Sequence, residues 1–121
     1  MFKVAKYLGG RGAYPDAEII KCSTSTIGTG VALHLSGGYA VKSSGSEAVE
    51  YVSAGKYNAA GFIPAYKVDK NMLFEANAHS ACAVGTKYTL GTDGASVTST
   101  STSGTATVYS IDGATAVVFF E

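Results

Sequence analysis

The sequence predicts an all-β fold, a small antiparallel barrel or sandwich of short strands joined by hairpins, with an extended arm at the N-terminus. Three observations predict it. Short runs rich in β-branched and aromatic residues recur at 18–24, 30–35, 39–42, 48–52, 62–68 and 74–78, with turn residues between them. Asp93-Gly94 and Asp112-Gly113 are each flanked by alternating strand formers, the pattern of two-residue hairpin turns. Helix signals are nearly absent: only 46–53, where Ser46 is a candidate cap, and one turn after Asp69 have helical composition.

A chain of 121 residues that is 46% hydrophobic supports one core and not two independent ones. The expected organisation is an arm over residues 1–16 and a single β domain over 17–121. In the arm, Phe2, Val4 and Tyr7 alternate with Lys3 and Lys6, and residues 9–12 (Gly-Gly-Arg-Gly) release the backbone ahead of Tyr14-Pro15. This reads as a hinged segment that either folds onto its own domain or reaches a neighbouring subunit.

Within the domain, Ala48, Val49, Tyr51 and Val52 fit either period and are read as a strand. The last hairpin is read with Asp112-Gly113 at its tip, Val108 and Ile111 on opposite faces, and 116–120 apolar on both faces, hence central in its sheet. The run Val97-Thr98-Ser99-Thr100-Ser101-Thr102-Ser103 is a solvent-facing strand and loop, because a linker there would cut the final strands from the core they fill. The expected core draws on Val31, Leu33, Ile63, Phe74, Val84, Tyr88, Leu90, Val108, Ile111, Val117 and Phe119.

Composition narrows the function classes. Nine basic and nine acidic side chains cancel, which argues against the basic footprint that holds phosphate backbones. No stretch approaches the roughly twenty apolar residues of a membrane span, and the first ten residues lack a signal-peptide core, so cytoplasmic synthesis is expected. In that setting Cys22 and Cys82 are expected as two reduced, buried thiols. Charged residues are only 15% of the chain, so Ser, Thr and Gly must cover much of the surface.

The residue types that carry chemistry do not fall into catalytic spacings. His79 and Cys82 are the most reactive-looking pair, but on a strand residues three apart point to opposite faces, and a Cys–His dyad needs hydrogen-bond contact. His34, His79, Cys22 and Cys82 lack the close paired spacings of structural zinc sites. Asp16, Asp69, Asp93 and Asp112 are each explained by turns, and the glycine-rich stretches match no nucleotide-binding pattern. The sequence therefore predicts no catalytic residue, no metal and no cofactor.

Three passages follow one another in order. They are Val31-Ala32-Leu33-His34-Leu35-Ser36-Gly37-Gly38-Tyr39-Ala40-Val41, then Gly61-Phe62-Ile63-Pro64-Ala65-Tyr66-Lys67-Val68-Asp69-Lys70-Asn71-Met72-Leu73-Phe74-Glu75, then Val84-Gly85-Thr86-Lys87-Tyr88-Thr89-Leu90. The order resembles that of the small head decoration, or cement, proteins of tailed phages, including those described as having a β-tulip domain. The resemblance spans residues 30–121. It implies a protein made in the bacterial host cytoplasm that binds the major capsid protein on the exterior of the virion, associates as a homotrimer and reinforces the shell against internal genome pressure.

On that reading the arm from Phe2 to Tyr14 supplies the contacts to the capsid or a neighbouring subunit, Tyr14 among them, with Phe2 and Tyr7 as apolar anchors and Lys3, Lys6 and Arg11 meeting carboxylates. Nucleic acid and membrane are not expected partners. The alternative from another class is a carbohydrate-binding or adhesin-type β module, for which the eight tyrosines would be stacking platforms.

Overall fold

A computed structural model describes residues 1–7, 17–22, 27–58 and 60–120, the side chains of Lys6 and Tyr7 excepted. Among the described residues the fold is all-β and contains no helix. Its strands are β1 Lys3–Tyr7, β2 Glu18–Lys21, β3 Ala32–Ser36, β4 Tyr39–Lys42, β5 Tyr51–Ser53, β6 Phe62–Lys67, β7 Met72–Ala78, β8 Lys87–Tyr88, β9 Ser96–Val97, β10 Ala106–Asp112 and β11 Thr115–Phe120. They form two sheets, one ordered β1-β7-β11-β10-β8 with β9 also on β7, the other ordered β2-β6-β5-β3-β4.

Both sheets curl until their ends approach. In the five-stranded sheet a parallel bridge from Cys22 to Ala40 brings the end of β2 against β4. In the six-stranded sheet β9 runs parallel to the end of β7, and its Val97 lies opposite Leu90, just beyond β8. The expected barrel or sandwich is thus a pair of strongly curved antiparallel sheets packed together, the curvature hiding edges that would otherwise template association.

Alternation along the strands sorts the apolar residues into two clusters. Phe74, Ala76 and Ala78 of β7, Val108 of β10 and Val118 and Phe120 of β11 fill the larger, where they meet Ala32 and Val52 from the other sheet. Leu33, Tyr51, Ile63 and Ala65 fill the smaller, within the curl of the five-stranded sheet. Successive residues of β3 and of β5 therefore enter different clusters, so those strands are buried on both faces.

Residues 1–7 belong to the domain. β1 pairs with β7, a bulge at Ala5 separating Val4 opposite Phe74 from Lys6 opposite Leu73. Phe2 is 2% exposed, and its ring meets that of Phe120 edge-on at 5.2 Å between centroids. The Phe2 N–H donates to the Gly30 carbonyl at 2.8 Å. Gly30 has φ +75°, and a Cβ there would lie 2.8 Å from the Phe2 carbonyl oxygen, so only glycine lets the first strand cross at this point. Of the two fates open to the arm, residues 1–5 thus fold onto their own domain. The hinge read at 9–12 lies outside the described residues.

Several local expectations shift. Leu33, Ile63, Phe74, Tyr88, Leu90 and Val108 are buried as expected, while Val31, Ile111, Val117 and Phe119 are half-buried. Val84 is 61% exposed, because it stands in the turn before Gly85, whose N–H is given to the Val108 carbonyl. The strand read over 48–52 begins only at Tyr51, since the Ala48 carbonyl is taken by the Ser43 hydroxyl. The last hairpin turns through Gly113 and Ala114, with Asp112 opposite Thr115. Glycine with φ +62° thus takes the first central position, where a type II′ turn wants it, in place of the second as expected from Asp112-Gly113 at the tip. A bulge at Tyr109 supplies the extra residue that returns Ile111 to the core side, opposite buried Ala116. β11 is central as expected, between β7 and β10.

Truncating the Phe2 ring empties the place where the first and last strands meet. Phe2→Ala is expected to lower the unfolding free energy in urea by about 3–5 kcal/mol, whereas Val84→Ser, in an exposed turn, changes it by less than about 0.5 kcal/mol.

Candidate functional site

The most chemically suggestive cluster is one that sequence spacing did not reveal. His34 of β3 points outward beside β4, and its Nδ1 lies 2.8 Å from Ser43 Oγ. Its Nε2 lies 3.7 Å from a carboxylate oxygen of Glu47. Serine, histidine and carboxylate together resemble a hydrolytic triad, but the connections are reversed: the serine sits on Nδ1 and the acid on Nε2. Ser43 is wholly buried, and its hydroxyl donates to the Ala48 carbonyl at 2.7 Å. With that proton committed, Ser43 Oγ accepts from His34 Nδ1–H.

The cluster pins the β4–β5 connection. The other Glu47 oxygen accepts the Ser44 N–H at 3.0 Å, and Gly45 exchanges backbone hydrogen bonds with Leu90 of the opposite sheet. Nearby, the Asp93-Gly94 loop docks on the same segment. It spans 91–96 between Leu90 and Val97, wider than the two-residue turn expected from the sequence. Gly94 has φ +65°, and a Cβ there would meet the Ser43 carbonyl at 2.8 Å, while its own carbonyl accepts the Ala32 N–H at 2.7 Å. The Asp93 carboxylate accepts the Ala95 N–H and the Ser96 hydroxyl, both at 3.0 Å. The hydrogen bond from the Ala95 N–H is the main reason that its pKa lies below the usual carboxylate range.

His79 and Cys82 lie in a turn after β7 and do not form a dyad. The Ala81 N–H donates to His79 Nδ1 at 3.1 Å, and Cys82 Sγ donates to the Thr98 carbonyl at 3.2 Å. Burial pushes the thiol above its ordinary pKa, the reverse of nucleophile activation. Cys22 lies in the smaller cluster and Cys82 in the larger, so the two sulfurs are unbridged and do not share a zinc site. Among the described residues no three of His, Cys, Asp and Glu converge.

The residues expected to grip a partner are scattered in their fates. Phe2 is inside the core and unavailable as a docking anchor, a correction that follows from its packing on Phe120. Lys3 is exposed on β1, opposite Glu75. Arg11, Tyr14 and the side chains of Lys6 and Tyr7 lie outside the described residues. Large apolar side chains are instead exposed at Ile19 (64%), Tyr39 (45%) and Leu35 (40%) on the five-stranded sheet, and at Met1, Val84 and Tyr109 elsewhere.

No family model, curated protein or solved structure matches the chain.

Two outcomes test this account. Ser43→Ala leaves His34 Nδ1 and the Ala48 carbonyl without a partner and is expected to cost about 1–3 kcal/mol in urea unfolding. Cys82 is expected to resist iodoacetamide at pH 8 in native protein and to react once unfolded. Because the folded-state pKa is raised, the unfolded thiol ionises first. The contribution of Cys82 to stability is therefore complete below its ordinary value of 9.0 and declines as the pH rises above it.

Proposed function

We propose that this chain is a non-catalytic decoration protein that binds the outside of a tailed-phage head and stiffens it. What supports the reading is that the three passages carrying the resemblance build one connected framework. Residues 31–41 are the β3–β4 hairpin, turning through Gly37 and Gly38 at φ +60° and +86°. Residues 61–75 are β6, the Asp69 turn and most of β7, and residues 84–90 carry β8 to the Leu90 contact with Gly45. These segments hold both sheets together, as a family-wide scaffold would.

A second support is the use of the polar side chains. Ser43, Asp93 and Cys82 each bond backbone groups of loops and His34 bonds Ser43, which suits a rigid binding body better than an enzyme. The carbohydrate-binding alternative calls for grouped aromatic platforms, yet the exposed Tyr39 and Tyr109 stand on different sheets, and Tyr51 and Tyr88 are buried. On the capsid reading the partners are the major capsid protein and further copies of this chain, as a homotrimer on the virion exterior.

Binding that favours the assembled shell stabilises it by mass action. Saturable co-sedimentation of the purified protein with empty heads of the cognate capsid protein is expected, together with a higher melting temperature of the decorated heads. Absence of co-sedimentation at micromolar concentrations refutes the reading.

A further inference from the structure

We infer that the outer face of β2, β4 and β6 is the docking surface, and that it fits a protein surface presenting a carboxylate within an apolar patch. The choice of shell protein as occupant rests on the function proposed above; the location of the face and the chemistry it asks for come from the residues themselves.

The face is built by register. In the β2–β6 pairing, Ile20 and Ile63 turn inward to the smaller cluster, which leaves Ile19 beside Pro64 and Lys21 beside Phe62 on the outside. The Pro64 carbonyl accepts the Ala54 N–H, so its ring nitrogen points toward β5, where that strand has ended. A proline inside the sheet is tolerated there, and on the β2 side it forms a non-hydrogen-bonded pair with Ile19, the kind with the closer side chains. The bridge from Cys22 to Ala40 has both side chains inward, so the preceding residues, Lys21 and Tyr39, emerge side by side on the outer face. Ile19, Pro64, Phe62 and Tyr39 thus surround one lysine.

Exposed Ile19 and Tyr39, set beside half-buried Phe62 and Pro64, supply an aliphatic and an aromatic anchor of the kind that marks interaction surfaces. Lys21 supplies the sign of the partner. It has no ion pair among the described residues. Docking desolvates it, which is favourable only when a carboxylate meets it. A lysine amid apolar side chains suits a partner that brings a carboxylate to it.

The test is co-sedimentation with empty heads of the cognate capsid protein. Ile19→Asp and Tyr39→Ala are each expected to weaken binding by at least about thirtyfold. Lys21→Glu should weaken it about tenfold at low salt and less at high salt. Lys3→Glu, on the other sheet, should stay within about twofold. Circular dichroism and melting temperature establish that each variant is folded, with Ile19→Ser taking the place of the aspartate where that variant melts early.

Folded variants at Ile19 and Tyr39 that bind as tightly as the wild type overturn the inference while leaving the proposed function standing. Failure of the wild type to bind heads overturns the function, and with it the occupant. Sedimentation velocity supplies the last discriminator: if Ile19→Asp dissociates a wild-type oligomer and head binding is unchanged, a copy of this chain covers the face and the inference falls.

Discussion

The ring of Phe2 lies edge-on against that of Phe120, and Phe120 is in turn tilted on Phe74 at 5.6 Å. Three strands meet there: β1 and β11 flank β7, the residues on either side of the contact being opposite one another in the ladders. The aromatic pairs contribute about 0.5–1.5 kcal/mol each beyond the area they bury. Their larger effect is topological. With Phe2 inside, β1 becomes a member of the sheet, the Phe2 N–H reaches Gly30, and the first strand is tied to the loop that leads into β3 of the other sheet. The two sheets are thereby joined at one end by the N-terminal strand. At the other they are joined by the pair of bonds between Gly45 and Leu90.

Between those two ties the polar side chains act as fasteners. Ser43 holds both His34 and the Ala48 carbonyl, Glu47 holds Ser44, and Asp93 closes its own loop before Gly94 rests against Ser43. Each of these hydrogen bonds is modest alone, and those of Ser43, itself buried, also remove the cost of a buried hydroxyl left unpaired. These bonds tie the loops to the sheets, while Ile19, Tyr39 and Leu35 stay exposed on the five-stranded sheet.

Much of the architecture was legible because strand alternation is local. The runs that became β2, β3, β4, β6 and β7 were visible in the sequence, and the doubly apolar 116–120 was correctly central. The turn shifts had causes that alternation does not encode. The bulge at Tyr109 depends on matching Val108 to Val118 and Ile111 to Ala116 across a partner strand, and Gly94 answers to Ser43, fifty-one residues earlier in the chain. The His34–Ser43–Glu47 cluster was hidden for the same reason, since only the β3–β4 hairpin brings nine residues of separation down to a hydrogen bond. Phe2 was misplaced because a short apolar segment before a glycine-rich stretch looks the same whether it docks inward or outward. The exposed face of β2 and β6 could have been suspected from Ile19 and Pro64, but not without the pairing that sets them side by side.

The meeting of Phe2 with Phe120 also imposes an order on biosynthesis. The first strand leaves the ribosome well ahead of the ring it must pack against, which is made 118 positions later. Until then β7 lacks β11, the larger cluster is open on that side, and the apolar residues of β1 and β7 have no finished interior to enter. Contacts of such long separation form slowly, and the waiting chain exposes strand edges meanwhile. The five-stranded sheet, complete by residue 67, can close around its own smaller cluster in the interval and give the remaining strands something to assemble on.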